Sequence, residues 1–444
     1  MEQFLQHDAF SIVVKGKAGT GKTALALTIL TKSIGKQPCL YISSRLSIGE
    51  LFEYYPWVKN FAGDSKKDFS PESPDGAVEA APFVDARLDE PSALFERITN
   101  ELMDTSSPLI IIDTWDAVGD FMDKEALITN AKILQIWRQR SRAKLVFVLE
   151  STEDKTFDNL VDGVIELEEK YVESRKTRRI HLSKLRGIKI TKPWSFFTLN
   201  AGVFHSFDRY NLLVPLSVPR QNEEKGDQGF PDDKKKESAV QNPLEIILGG
   251  GIPKHTVVNL ELDKNVNPKL GLVFLGGIIV DFARKNGVLL LPPKGVPDTY
   301  VDQFLKIILR NSEQRKRVSV LKNSPGNDTS SSIGEEIKQS IGQMKKKEPN
   351  GGLFGAFSLG PSLSKKTLDL ELVKTLVANG LEGSVLITFS NESITEEILN
   401  ISDVSMRLRE IEGTLFVQPE KPWASFFAIE NGNGNEIISV QPMV

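Results

Sequence analysis

Residues 11–23 read Ser11-Ile12-Val13-Val14-Lys15-Gly16-Lys17-Ala18-Gly19-Thr20-Gly21-Lys22-Thr23. An apolar, β-branched run predicts a strand, the glycines predict a turn, and Thr23 to Ile34 carries apolar residues at helical spacing. The middle of the stretch fits G-x-x-x-x-G-K-[ST] in the strand–turn–helix setting which that pattern requires. Glycines let the backbone curl so that its N–H groups point at phosphate oxygens, and the start of the helix adds its positive dipole end. Gly16, Lys17, Ala18, Gly19, Thr20, Gly21, Lys22 and Thr23 are therefore the candidate nucleotide-binding residues. Lys22 would reach the β- and γ-phosphates and Thr23 would set its hydroxyl on Mg²⁺, which makes ATP and Mg²⁺ the expected cofactors. The bland alternative is a glycine-rich turn that holds no nucleotide.

Further along, Leu109-Ile110-Ile111-Ile112 ends on Asp113. An acid at the end of a buried strand is the natural second metal-side ligand, with Thr23 opposite; a helix cap ahead of Trp115 to Phe121 is the alternative. Cys39-Leu40-Tyr41-Ile42 and Leu145-Val146-Phe147-Val148 are similar apolar runs, and Pro91 to Met103 has a helical stripe through Leu94, Phe95, Ile98 and Leu102. Continuous apolar strands separated by helices predict an α/β fold with a mostly parallel sheet covered on both faces.

The chain has 444 residues, which predicts two to four domains, and its 40% hydrophobic and 26% charged composition is that of a globular protein. A net charge of -4, from 55 basic and 59 acidic residues, provides no global attraction to nucleic acid or an anionic membrane. Cys39 is a lone cysteine and cannot close an intramolecular disulfide, which fits a reducing compartment. Met1-Glu2-Gln3 lacks the basic start of a signal peptide, and the longest apolar run, around Leu270 to Ala283, is short of the roughly 20 residues a membrane span needs. A cytoplasmic protein that does not enter the membrane is expected. His7, His181, His205 and His255 share no ligand spacing, so no protein-built metal site is expected.

Pro219 to Val240 is charged, poor in apolar residues and interrupted by prolines, and reads as a flexible linker. Gly63 to Pro82 and Asn323 to Gly352 read as long loops. On either side of the linker the chain repeats itself. Lys192-Pro193-Trp194-Ser195-Phe196-Phe197 recurs as Lys421-Pro422-Trp423-Ala424-Ser425-Phe426-Phe427, and Leu145 to Ser151 matches Val385 to Asn391. So long a period means two copies of one domain. The expected domains are 1–217 and 243–444, joined by 218–242. The matching tryptophans are expected in the two cores.

The P-loop, the Ile-Ile-Ile-Asp strand, Val161-Asp162-Gly163-Val164-Ile165-Glu166-Leu167-Glu168 and Lys184-Leu185-Arg186-Gly187 together resemble RecA-like ATPases of the KaiC type. Tyr41-Ile42-Ser43-Ser44-Arg45 followed by Tyr55-Pro56-Trp57 is similar to the archaeal gas-vesicle regulatory proteins of the D type. The resemblance implies tandem RecA-like domains, a ring-forming homo-oligomer, a hexamer in many members, and a catalytic role for Lys184 and Arg186 at the γ-phosphate of a neighbouring subunit. Two cations delivered together would stabilise charge on a transferring phosphoryl group; the bland reading is an ordinary basic strand beside Arg175, Lys176, Arg178 and Arg179. The resemblance also implies adjacent acidic residues after the second strand, one of which activates water. Here Ser43-Ser44-Arg45 stands in that place, and a guanidinium cannot act as a base. Slow hydrolysis is expected unless Glu50, Asp116 or Glu150 substitutes.

In the second half, Leu244 to Lys254 resembles the segment before the first strand, and Val257-Val258-Asn259-Leu260 is that strand. Asp263-Lys264-Asn265-Val266-Asn267-Pro268-Lys269-Leu270 then replaces the P-loop, without glycine and with a proline that removes a donor. Leu353 to Leu359 ends without an acid. The half is expected to be a degenerate copy. The leading expectation is an ATP-binding, slowly hydrolysing regulator that acts through assembly or a protein partner, such as a transcription factor. A DNA-stimulated ATPase on single-stranded nucleic acid is the alternative, and an autophosphorylating kinase a third.

Overall fold

A computed structural model of the chain describes residues 1–62, 83–87, 105–210 (apart from 106, 120, 121, 123, 151, 153 and 154), 242–321 (apart from 251–255, 294 and 310), 353–358, 385–390 and 396–444 (apart from 433–436), together with 94, 98, 337, 339–344 and 346. The expected linker, apart from Asn242, and the expected loop at 63–82 lie outside the described residues, as do Phe95 and Leu102 of the expected stripe. Two compact units emerge, Met1–Phe207 with Met443–Val444, and Asp208–Pro442.

Unit 1 holds one sheet of nine strands in the order β3-β2-β4-β5-β1-β6-β7-β8-β9. These are β1 Phe10–Gly16, β2 Cys39–Ser43, β3 Phe83–Asp85, β4 Leu109–Asp113, β5 Lys144–Leu149, β6 Gly163–Val172, β7 Arg175–Leu185, β8 Trp194–Thr198 and β9 His205–Ser206. Pairing is parallel from β3 through β6 and antiparallel from β6 to β9. Successive residues of a strand face opposite sides of a sheet, and here both sides are apolar. Ile12, Val14, Leu109, Ile111, Val146 and Val148 enter one cluster. Val13, Ile110, Ile112, Leu145 and Phe147 enter another. That double burial is why these strands read as unbroken apolar runs. The connecting helices include α1 Glu2–Leu5, α2 Lys22–Ser33, α3 Ile48–Tyr54, α4 Trp115–Gly119, α5 Lys124–Ser141 and α6 Thr156–Leu160. α2 buries Ala24, Leu25, Ala26, Leu27, Ile29 and Leu30.

Unit 2 has its own nine-stranded sheet, in the order β12-β11-β13-β14-β10-β15-β16-β17-β18. The strands are β10 Val257–Leu262, β11 Gly287–Leu291, β12 Val318–Val320, β13 Leu353–Ser358, β14 Val385–Ser390, β15 Val404–Ile411, β16 Thr414–Lys421, β17 Phe427–Asn431 and β18 Ile438–Pro442. Counted from β10, this is the strand order of unit 1, with the change from parallel to antiparallel at the same place. The copy extends to a detail: the register shifts between Val164 and Ile165 against β7, and between Ser405 and Met406 against β16. The internal repeat read from sequence is thus a repeat of topology, with β5 and β14, the matched pair, each beside the strand that opens its unit. The helices include α7 Pro243–Leu248, α8 Pro268–Ala283 and α9 Asp298–Ile308. α8 is apolar almost all round and is buried along most of its length.

Two expectations need correction. The repeated tryptophans are not core residues. Trp194 is half-buried and stacks on His181 at 4.0 Å between ring centroids, and Trp423 is 60% exposed. The phenylalanines that follow them fill the cores: Phe196 and Phe197 in one unit, Phe426 in the other. Burial of the apolar rings dominates, whereas an indole with a polar N–H is tolerated at the rim. Likewise the expected loop at 323–352 contains helical residues at 337, 339–344 and 346, and Ile337 is fully buried. Ile337 and Ile341 are four apart, a helical spacing outweighed in the sequence reading by the lysine run that follows.

Candidate functional site

The turn between β1 and α2 is built by glycines that no other residue could replace cheaply. Gly19 and Gly21 have φ of 80° and 99°, the left-handed region open mainly to glycine. A Cβ on Gly16 would stand 2.5 Å from Thr20 Oγ1 and 2.7 Å from the Leu167 carbonyl oxygen. On Gly21 it would stand 2.8 Å from a Leu199 methyl. Thr20 Oγ1 donates to the Lys17 carbonyl at 2.8 Å, which closes the loop on itself.

Lys22 opens α2 and is buried, and its Nζ donates to the carbonyls of Gly16 at 2.8 Å and Lys17 at 2.9 Å. Burial holds this ammonium below the ordinary lysine range, and the carboxylates of Glu150, Asp113 and Asp116 oppose the shift. Those three acids come from the ends of β5 and β4 and from α4, so the tertiary fold gathers them around the P-loop lysine. Thr23 follows, half-buried.

Asp113 stands at the end of β4, two strands from β1, and is buried. Tyr41 donates its hydroxyl to Asp113 Oδ2 at 2.6 Å, and Thr114 Oγ1 donates to Oδ1 at 3.2 Å. Burial, followed by the charge of Asp113, pushes the Tyr41 phenol well above its usual range, so it remains a donor. Tyr41 read as a strand residue in the sequence. Its role was hidden because its partner lies 72 positions away.

The Ser43-Ser44-Arg45 stretch has three separate uses. Ser43 Oγ donates to the Leu46 carbonyl at 2.6 Å. Ser44 Oγ donates to the Thr114 carbonyl at 2.6 Å and accepts from the Thr114 N–H at 2.7 Å, while the Ser44 N–H donates to the Asp113 carbonyl. This ties the end of β2 to the end of β4. Arg45 reaches across to Glu150, with Nη1 at 2.7 Å from Oε1. The backbone N–H of Glu150 in turn donates to Asp116 Oδ2. Burial raises the Asp116 carboxyl above the usual carboxylate range, and the Glu150 N–H partly opposes that. Of the three acids considered as substitutes, Asp116 and Glu150 are therefore at the site. Glu50 is elsewhere: its carboxylate closes a capping box with Ser47 at the start of α3.

Arg178 on β7 is a contact that the sequence reading passed over as part of a basic run. Its Nη1 donates to the Gly19 carbonyl at 2.8 Å and its Nε to the Val444 carbonyl at 2.7 Å. Arg178 also lies 3.4 Å from Glu169 on β6, and other side chains of β7 face acids on that strand. Lys176 pairs with Glu169 at 2.8 Å, Arg179 lies 3.6 Å from Glu168, and His181 lies 3.2 Å from Glu166.

Lys184 and Arg186 sit at the far end of the sheet from their own P-loop. Leu185 pairs with Gly163, which pairs with Ile12, whereas Gly16 at the P-loop pairs with Leu167. Four residues of strand, about 13 Å, separate the two levels. Lys184 Nζ donates to the carbonyls of Asp158 and Val161 at 2.8 and 2.7 Å. Arg186 is largely exposed, with Nη1 2.9 Å from Asp162 Oδ1.

In unit 2 the turn between β10 and α8 is made differently. The Val266 N–H donates to the Asp263 carbonyl, Asn267 accepts from the Lys269 N–H at 3.0 Å as a helix cap, and Pro268 begins the helix. An Asn-Pro start is an efficient cap, but it replaces the glycine cradle of unit 1.

A glycine cradle at a strand-to-helix turn, a buried lysine at its rim and a carboxylate closing a strand two places away define unit 1 as a P-loop NTPase-type domain. Residues 1–183 match the family model described as GvpD gas vesicle protein, P-loop domain. Protein GvpD1 of Halobacterium salinarum is 26% identical over 312 residues, which covers 66% of this chain and 56% of that protein. Protein GvpD2 of the same organism is 26% identical over 298 residues, covering 64% of this chain and 58% of that protein. The match thus spans little more than half the length of these relatives. Residues 1–183 of the chain are thus similar to the P-loop domain of the GvpD proteins. Among the described residues, no helix is long and apolar enough to cross a membrane.

Proposed function

We propose that this chain binds Mg-ATP at one site, in unit 1, hydrolyses it slowly, and uses its nucleotide state to control its own assembly or its contact with a protein partner, in the setting of gas vesicle formation. The observation that carries this reading is the Lys22 ammonium, buried in a cradle too tight for a side chain at Gly16 and faced by Asp113, Asp116 and Glu150. Its two carbonyl partners are the contacts that a phosphate would replace. Thr23 and Asp113 would hold Mg²⁺, which takes few protein ligands and keeps several waters. The ion would neutralise charge on the phosphates.

Slow turnover follows from the use of Ser43 and Ser44 in the strand-end turn and from the cation at Arg45, where the resemblance calls for an acid. The Asn267-Pro268 cap leaves unit 2 without a phosphate cradle, so one nucleotide per chain is expected. Lys184 and Arg186, about 13 Å of strand from their own P-loop, would act on a nucleotide only from a neighbouring chain, in a ring. A protein partner fits better than nucleic acid, because the basic strand β7 is largely matched by Glu166, Glu168 and Glu169.

Isothermal calorimetry with Mg-ATP tests the reading. One site per chain is expected, lost in Lys22→Ala. Two sites would contradict the assignment of unit 2, and unchanged affinity in Lys22→Ala would remove the P-loop assignment.

A further inference from the structure

We infer that Glu150 is the carboxylate that activates the attacking water, and that Arg45 is a clamp which holds it back. This rests on the nucleotide reading above and deepens it. Three observations converge. Glu150 directly follows β5, the strand beside β1, and so emerges next to the P-loop. Its backbone is anchored by Asp116 Oδ2. Its Oε1 is held by Arg45 at 2.7 Å, in a pair that is partly exposed on both sides.

The alternatives at the site are already committed. Asp113 is held by Tyr41 and Thr114 and stands where a metal ligand is needed. Asp116 accepts from the Glu150 N–H and so serves as a positioning residue. Of the three described carboxylates whose charge acts on Lys22, Glu150 is the one left to face water. The basic residue that displaces the family's acid at position 45 thus engages the acid that takes over its role.

In the step assigned to Glu150, its carboxylate accepts a proton from water while the water oxygen forms a bond to the γ-phosphorus. The bond from that phosphorus to the bridging oxygen breaks, and the oxygen keeps the electron pair. The products are ADP and inorganic phosphate, and Glu150 then returns its proton to solvent. Arg45 must release Oε1, or leave Oε2 to do the work alone. Because partly exposed ion pairs are weak, the clamp slows the step only modestly.

The test uses the full chain in six forms: wild type, Glu150→Gln, Arg45→Ala, Arg45→Lys, Asp116→Asn and the Glu150→Gln/Arg45→Ala double variant. Each is measured by calorimetric affinity for Mg-ATP, by single-turnover hydrolysis with protein in excess, and by the identity of the nucleotide recovered from the protein. Glu150→Gln should bind Mg-ATP two- to fivefold more tightly, since a negative charge beside the phosphates is gone. Its chemical step should fall by about 100-fold or more, and the recovered nucleotide should be ATP. Arg45→Ala should speed the step by about two- to fivefold, Arg45→Lys should return it to the wild-type rate, and the double variant should be as slow as Glu150→Gln. Wild-type hydrolysis in Glu150→Gln overturns the inference, as does a gain from Arg45→Ala that survives in the double variant. So does a collapse confined to Asp116→Asn. Wild-type chain that fails to bind Mg-ATP at all would instead sink the nucleotide reading on which this one stands.

Discussion

Replacing Tyr41 by Phe removes one hydroxyl from a site where both partners are out of water. Tyr41 is fully buried, Asp113 is 6% exposed, and their hydrogen bond is 2.6 Å long. The ring stays, so no sizeable cavity forms, and the cost is that of a buried carboxylate losing its better donor. The Thr114 hydroxyl, at 3.2 Å, compensates poorly. A hydrogen bond to a charged group contributes about 1.5–3 kcal/mol, so a loss of about 2 kcal/mol is expected. With a urea slope of about 1–3 kcal/mol per molar, the midpoint should fall by roughly 1 M. Tryptophan fluorescence during urea unfolding is a suitable assay, because Trp115 is fully buried two residues from Asp113. A Trp423→Phe background leaves only the tryptophans of unit 1 as reporters. Asp113→Asn and the double variant complete a cycle, and the coupling should exceed 1 kcal/mol. A coupling below about 0.5 kcal/mol would refute the claim that Tyr41 holds Asp113 in place.

Gly16→Ala should lower Mg-ATP affinity by tenfold or more while the chain remains folded, since the added methyl meets Thr20 and a backbone carbonyl that cannot yield; calorimetry with circular dichroism would check both parts. Asp116→Asn should stabilise the nucleotide-free protein at neutral pH. The folded-state pKa of Asp116 is raised, so the folded chain binds more protons than the unfolded one between the ordinary value and the raised one, and stability falls as pH rises through that window. The gain should therefore be full above the window and vanish below it, as read from denaturation midpoints at several pH values. Mixing Lys22→Ala with Arg186→Ala chains should restore part of the turnover that each lacks alone. Co-assembly of labelled chains without any recovery would return Lys184 and Arg186 to an ordinary structural role.

The parts of this protein that the sequence determined by itself are local ones. The β1–P-loop–α2 unit is decided within 24 consecutive residues, Phe10–Ser33, because backbone freedom at glycine and apolar spacing are properties of neighbours along the chain. Asp113 was legible for the same reason, as an acid closing an apolar run. The duplication was legible because two copies of one fold keep the same apolar rhythm, and the identical strand orders agree with it. What only the tertiary structure decided are the pairings between distant residues. Tyr41 meets Asp113 across 72 positions, Arg45 meets Glu150 across 105, and Arg178 meets Gly19 across 159. Each pair is brought together by the order β2-β4-β5-β1-β6-β7, in which spatial neighbours are not sequence neighbours. A side chain's periodicity reveals the face on which it lies, but its partner depends on which strand is laid beside it. For that reason Glu50, Asp116 and Glu150 were equal candidates in the sequence, and only the folded sheet set two of them beside Lys22 and turned the third into a helix cap.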